Sequence, residues 1–440
     1  MPDRLKQLLA LGLLAALLEA ALLALRGLHP WDVNLVEAVA VSWAAAGVYF
    51  VAVWLVFSWR ETPRGALLVV LVAAAIFRLT LLPLPPSLSD DLHRYQWEGE
   101  IQRAGHNPYR ATPADPELVR FRPPVYERLP GRELPTAYGP VIELLFRLAA
   151  RADGLLAPAS AGLAFKLLSV LFDFGSLLLL VWLLRLRDEP PARALVYAWC
   201  PLVVLEFAGS GHNDSIPIFF LLLACALTLR ASLVSGAALA AAAMSKWFAG
   251  LLAPVFFRRS SAQQRGAGWK WLSLFVVTVV LLCLPYAAAG SGLFAGLLGY
   301  AAGWRNNASL FALVAGVTGS DAAAHGISLA IVGGLVLGLT MRGTEPLRAA
   351  LLLLATLLLV SPSVFPWYLT WFVPFLCFFP SPALLLWTST VLLSYHVLLE
   401  FSALGIWRYD PELVALEYLP VYGLLLWTAW RASAVPTISR

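Results

Sequence analysis

The chain is poor in charge. Only 13% of its 440 residues are Asp, Glu, Lys or Arg, against about 25% in a soluble globular domain. It has no GxGxxG and no P-loop, so the phosphate-cradling turns of soluble nucleotide-binding domains are missing. Its four cysteines, Cys200, Cys225, Cys283 and Cys377, sit singly in apolar runs with no CxxC pair, which argues against a zinc site and a disulfide framework. The net charge of +5 has no basic stripe behind it, so nucleic acid is not an expected partner. The six histidines are dispersed, and a metal site built from them is not expected.

Apolar residues fill the chain instead. They make up 60% of it, mean hydropathy is +0.77, and runs of about 17 to 25 apolar residues recur, the length that crosses a hydrocarbon core of about 30 Å. The 17 tryptophans suit interfacial belts. The expected fold is all-α and polytopic: one integral membrane domain over 1–440, with about 12 transmembrane helices and no linker between soluble parts. The run at 8–25 is long for a signal-peptide core and reads as a retained first helix.

The basic residues orient these crossings. Arg4 and Lys6 precede the first helix and place the N-terminus in the cytoplasm, and Arg60 and Arg64 follow the second, at 33–59. A third helix at 66–84 ends at Pro85-Pro86. The segment 87–137 then lies outside. It is about a tenth of the chain but carries 15 of its 57 charged residues, too many to cross a bilayer. An interfacial amphipathic helix at 138–150 and a crossing at 161–184 follow. The run 233–257, interrupted by Lys246 and flanked by Arg230, Arg258 and Arg259, is too short to cross twice and reads as a re-entrant or broken helix pair. A second outer segment is expected at 290–325, then crossings ending near 341, 361, 380 and 401, and a last one at 413–430. Arg431 and Arg440 place the C-terminus in the cytoplasm too.

The most informative polar stretch opens the outer segment: Ser89-Asp90-Asp91-Leu92-His93-Arg94-Tyr95-Gln96-Trp97-Glu98-Gly99. Ser-Asp-Asp is a good helix start, and Asp90 could simply pair with Arg94 one turn on. Two carboxylates at a membrane edge could equally deprotonate an acceptor hydroxyl, or hold a divalent cation such as Mg²⁺ or Mn²⁺. An enzyme outside the cytoplasm, without a nucleotide platform, needs a donor delivered through the membrane. A polyprenyl-phosphate sugar carries its own leaving group and needs cations to hold the phosphate.

Asp90-Asp91-x-x-Arg94-Tyr95-x-Trp97-Glu98-Gly99, followed by Gly105-His106-Asn107-Pro108-Tyr109, resembles the first outer loop of bacterial GT-C-type glycosyltransferases, in particular the polyprenyl-phosphate-mannose-dependent mannosyltransferases. Tyr138-Gly139-Pro140, Gly211-His212-Asn213-Asp214, Ser245-Lys246 and Pro366-Trp367-Tyr368 extend the likeness over about residues 87–370. The resemblance implies a GT-C-like fold in a bacterial inner membrane and a hexose donor on a lipid phosphate, with mannose the expected sugar. It also implies a glycan or glycolipid acceptor, and Asp90 or Asp91 as catalytic base. Many members place the carboxylate loop after the first helix, whereas here it follows the third, which implies an extra N-terminal hairpin.

Substrate contacts are expected from Arg94, Tyr95, Trp97 and Asn107 in the first loop, and from His212, Asn213 and Asp214 at an outer helix end. Asp214 could instead cap the next helix. Lys246 and Arg305 are candidates for the donor phosphate; snorkelling and interfacial anchoring are the plainer roles. Trp367 and Tyr368 suit a substrate mouth or an aromatic belt. His93 and His106 read as polar loop residues. One carboxylate and direct attack imply inversion at the anomeric carbon. A lipid or sugar transporter is the main rival, but it would need polar residues lining a path from both faces. A non-enzymatic assembly subunit is a third reading.

Overall fold

A computed structural model of the chain describes residues 2–155 and 162–434. Among these, every regular element is helical, apart from an isolated bridge between Asn306 and Ser363. Seven helical stretches are long and apolar enough to cross a membrane: Asp3–Gly27, Leu35–Ser58, Leu163–Leu186, Ala267–Gly303, Asp321–Met341, Pro382–Leu404 and Pro411–Arg431. An eighth is bent by 62° between Pro191–Ala198 and Pro201–Gly209. Three more apolar helices, Ala66–Leu81, Ser215–Leu229 and Pro346–Leu359, are shorter. The protein is therefore all-α and polytopic as expected, but helices able to cross unaided do not reach twelve.

Two expected crossings differ in kind. The stretch ending near 380 forms two short 3₁₀ turns, Pro366–Trp371 and Val373–Cys377. Pro362, Pro366, Pro374 and Pro380 punctuate it, and each lacks the N–H that an α-helix needs. The helical run from Ala267 continues past Gly290 to Gly303, so the outer segment expected from 290 begins with helix. The crossing expected at 161–184 is a helix over Leu163–Leu186; its anticipated first residue and Arg440 lie outside the described residues. The break anticipated around Lys246 is present. Helix Ser235–Ala243 stops, Lys246 is extended (φ −137°, ψ 128°), and the chain resumes through Trp247–Leu252 into helix Ala253–Gln263.

Buried polar side chains fix the framework beneath the polar segment 87–137. Arg78 of helix Ala66–Leu81 donates to Asp173 of helix Leu163–Leu186 at 2.7 Å and also to the Ala198 carbonyl. Both members of the pair are within 1% of full burial, a placement tolerable only because the charges are paired and hydrogen-bonded. Lys166 donates to the Leu84 carbonyl and, at 3.5 Å, to that of Leu81. It thereby pins the chain where it leaves helix Ala66–Leu81 for Ser89.

The polar segment itself folds onto the bundle. Helix Asp91–Arg103 begins where Ser89 Oγ accepts the Asp91 N–H at 3.1 Å. It packs against helix Pro140–Asp153. Gly99 permits the close crossing, since a Cβ there would stand 2.6 Å from the Phe146 carbonyl oxygen. Tyr95, Phe146 and Ile142 form the small core between these helices.

Candidate active site

Two backbone features bring distant motifs together. Gly139 lies against the break before Lys246: a Cβ at Gly139 would be 2.0 Å from the Met244 carbonyl oxygen. Gly139 N–H donates to Ser245 at 3.1 Å and Val141 N–H to Met244 at 3.0 Å. That stitch seats Tyr138 beside the Lys246 ammonium, 5.8 Å from the ring centre. The proline-rich turn Pro366–Trp371 then places Tyr368 and Trp371 over the same ammonium at 5.2 and 5.7 Å. Lys246 donates to Asp214 Oδ1 at 2.7 Å, and Trp371 Nε1 donates to the same oxygen at 2.5 Å. Asp214 Oδ2 is buried without a partner. The lysine is thus held by one carboxylate and an aromatic box, whose ring faces attract a cation.

These residues face a cavity of about 1180 Å³. Its polar part carries Ser89, Asp90, Asp91, His93, Arg128 and Lys246, and its other walls carry Leu251, Leu329, Val332, Leu357, Val397, Leu398 and Phe401. The two neighbouring carboxylates diverge. Asp90 turns to Arg128 at 3.1 Å, and Arg128 is half exposed. Asp91 turns inward, with Oδ2 3.4 Å from the Tyr95 hydroxyl and 3.7 Å from His212 Nδ1. Burial pushes the Asp91 carboxyl up to about 7; Lys246 opposes that and Asp214 adds to it. Burial also raises Asp90, against the pull of Arg128. Among the described residues no group of three or more His, Cys, Asp and Glu stands close enough to hold a metal ion.

Of the residues anticipated from sequence, Asp90, Asp91, Arg94, Lys246, Arg305, Trp367 and Tyr368 line this cavity. Arg94 does so with its guanidinium engaged: Nε donates to Glu98 at 2.8 Å, and the other nitrogens to the Gly131 and Leu134 carbonyls at 3.0 and 2.9 Å. The simple Asp90–Arg94 pair is not formed; Arg94 ties the far end of segment 87–137 back to its helix. Arg305 pairs with Asp321, both about half exposed. Trp97 is buried with Ile101, Ala111 and Leu118. Asn107 shapes its loop, accepting from the Tyr109 N–H at 3.0 Å. Tyr95, His212, Asn213 and Asp214 are buried behind the wall.

Sequence reasoning missed Arg128, Glu206, Tyr300 and Tyr395. Arg128 is one of seven arginines in segment 87–137 with nothing local to mark it. Tyr300 donates to or accepts from Tyr368 at 2.8 Å, and Tyr395 donates to Glu206 at 2.7 Å; both pairings join residues far apart in the chain. Glu206, an acid in an apolar run, was the one signal available.

The model of a protein family, alpha-(1->6)-mannopyranosyltransferase, N-terminal domain, matches residues 7–260. No curated protein matches the chain. The matched stretch covers more than half of the residues and contains both carboxylates, His212, Asp214 and Lys246. The chain therefore belongs to the alpha-(1->6)-mannopyranosyltransferase family, and is a multi-pass membrane glycosyltransferase of the GT-C type.

Proposed function

We propose that the protein transfers mannose from a polyprenyl-phosphate donor to a hydroxyl of a glycan or glycolipid acceptor, on the outer side of a bacterial inner membrane. One observation carries this reading: Asp91 and Lys246 stand on the wall of a cavity that continues between aliphatic side chains such as Leu329, Leu357 and Val397. A donor with a charged head and an isoprenoid tail matches both parts.

In this reading Asp91 is the base. It faces the cavity without a direct cationic partner, and a carboxyl that titrates near the working pH is well matched to taking a proton from a hydroxyl. The acceptor oxygen attacks the anomeric carbon, its proton passes to Asp91, and the bond to the phosphate oxygen breaks. The leaving phosphate takes up the electron pair. A single displacement inverts the anomeric centre. Lys246 and Arg128 hold the phosphate; Lys246 spends one N–H on Asp214, and Arg128 is free to exchange its exposed contact with Asp90. Outer residues 87–137 and the cavity walls form one catalytic unit within a single domain.

Transfer by the purified protein from a radiolabelled polyprenyl-phosphate mannose, compared with a nucleotide mannose, tests the donor. Transfer from the nucleotide sugar alone would overturn the assignment. For orientation, single cysteines at Glu117 and Gln263, both exposed, should label differently with an impermeant thiol reagent in intact cells. Labelling at 263 and not 117 would reverse the proposed sidedness.

A further inference from the structure

His212 is 1% exposed and stacks flat on Trp367, ring centres 3.9 Å apart and planes 15° from parallel. It does not line the cavity, so it cannot touch substrate from this position. Its two ring nitrogens face two different carboxyls. Nδ1 is 3.7 Å from Asp91 Oδ2, and Nε2 is 3.4 Å from Glu206 Oε2. Both His212 Nε2 and Glu206 Oε2 are buried without a hydrogen-bond partner. The other Glu206 oxygen accepts from the Tyr395 hydroxyl at 2.7 Å. Tyr395 returns to the cavity wall. Four side chains from four separate parts of the chain therefore stand in line: Tyr395, Glu206, His212 and Asp91.

We propose that His212 is the positioning residue of the acceptor-activating carboxylate, in a one-way donor chain running from Tyr395 through Glu206 and His212 to Asp91. The inference rests on the reading of Asp91 as base. The Tyr395 O–H donates to Glu206. Glu206 in its acid form donates to His212 Nε2, and that bond fixes the tautomer in which Nδ1–H points at Asp91. The two contacts of His212 close to ordinary hydrogen bonds when the ring and the carboxyls shift by about half an ångström, and catalytic contacts commonly tighten only with substrate in place. The Trp367 stack holds the ring plane for this. Asp91 then meets the substrate hydroxyl aimed and ionised.

The other groups facing Asp91 are Tyr95 on its own helix, Asp90 beside it, Asp214 behind it, and Lys246. Tyr95 touches both ends of the last link: its hydroxyl can accept from His212 Nδ1–H and donate to Asp91 Oδ2, so it carries the same donor direction. Tyr95 Oη is 3.4 Å from both Asp91 and His212 Nδ1, and Lys246 is engaged with Asp214.

The test is the pH profile of kcat/KM for mannosyl transfer from polyprenyl-phosphate mannose. An N–H on a carboxylate favours its charged form, so removing it must raise the pH at which the base becomes active. H212F keeps the ring stack and loses both nitrogens. It should move the acidic limb up by about one pH unit and lower turnover at neutral pH, with donor KM within about twofold of wild type. H212Q, which keeps an N–H, should shift less. E206L should shift the limb in the same direction, and E206Q, whose amide can still donate to Nε2, less than E206L. A structural role alone would lower activity by one factor at every pH. That flat ratio in H212F, or in E206L if H212F does not insert, overturns the inference. D91N is run in parallel: an active D91N overturns the base itself, whereas an inactive D91N beside an unmoved H212F limb overturns only the chain.

Discussion

Residues up to 260 and residues beyond it contribute very different walls to the same cavity. The first part supplies Asp32, Asp90, Asp91, Arg94, Glu98, Glu127, Arg128 and Lys246. The second supplies Arg305 as its charged residue there, already paired with Asp321, and otherwise Trp304, Phe365, Trp367, Tyr368, Trp371, Phe401, Trp407, Tyr409 and a run of aliphatics. The family match, residues 7–260, takes in all of these charged residues except Arg305. In the proposed reading the difference separates two jobs. Moving a proton and holding a phosphate needs a few ionisable groups at fixed distances, which tolerate little change. Holding a lipid tail and a sugar ring needs apolar and aromatic surface, which many sequences can supply. The parts are nonetheless interlocked: Trp371 from the second donates to Asp214 of the first, and Trp367 carries His212.

The sharpest way to break this division is at its charged side. D91N keeps the shape of the side chain and removes its basicity; turnover should fall by roughly 10²-fold or more. D90N, which removes a partner of Arg128, should cost less than tenfold. Equal losses would show that the carboxylates act together, and a fully active D91N would move the chemistry elsewhere. Next in size, K246Q should weaken donor use about ten- to a hundredfold through kcat/KM, the worth of one charge-assisted contact to phosphate. A K246Q protein that inserts less well but uses donor normally would make the lysine only a structural partner of Asp214.

The same division explains what could be read from the sequence. The membrane class and the helices before residue 200 follow from unbroken apolar runs, because length alone decides whether a helix can span. The polar loop was legible since its carboxylates, Arg94 and the aromatics lie within ten residues. Lys246 was legible as a charge in an apolar run, and its break was seen at the expected place. The aromatic box around it was not, because Tyr138, Tyr368 and Trp371 meet only after Gly139 abuts Met244 and the 366–371 turn folds in. Arg94 shows the converse failure: spacing suggested Asp90 as its partner, but Glu98 at i+4 and two loop carbonyls took it. The 362–380 stretch looked like a crossing because hydropathy outvoted four prolines.

The apolar side should respond to a different readout. Leu357 lines the cavity and is partly buried on helix Pro346–Leu359. L357N places an amide where an isoprenoid tail is proposed to lie. Loss of apolar contact and partial burial of the amide should reduce use of a long-chain donor roughly five- to tenfold. Use of a donor with one or two isoprene units should be nearly unchanged. If both donors lose equally, the tail does not run past Leu357, and the division between chemical and lipid-holding walls fails at that point.

The smallest effect tests how finely the charged side is tuned. Asp91 titrates near 7 because burial raises it, Asp214 raises it further, and Lys246 pulls it down. A base works when deprotonated, so activity should climb as pH passes this value. Lys246 and Asp214 form one ion pair, yet their charges act on Asp91 with opposite signs. Removing the cation in K246Q leaves the protonated acid favoured, and the acidic limb should move to higher pH. Removing the negative charge in D214N, while leaving an oxygen for Trp371, should move it to lower pH. Each shift should be under about one unit, given charges that interact across a partly solvated cavity. Both variants are compared at saturating donor, so that weaker phosphate binding does not enter the profile. Shifts of the same sign would mean that the pair acts on Asp91 through the packing of Tyr138, Tyr368 and Trp371, with the aromatic wall setting the base and the charges setting only the phosphate.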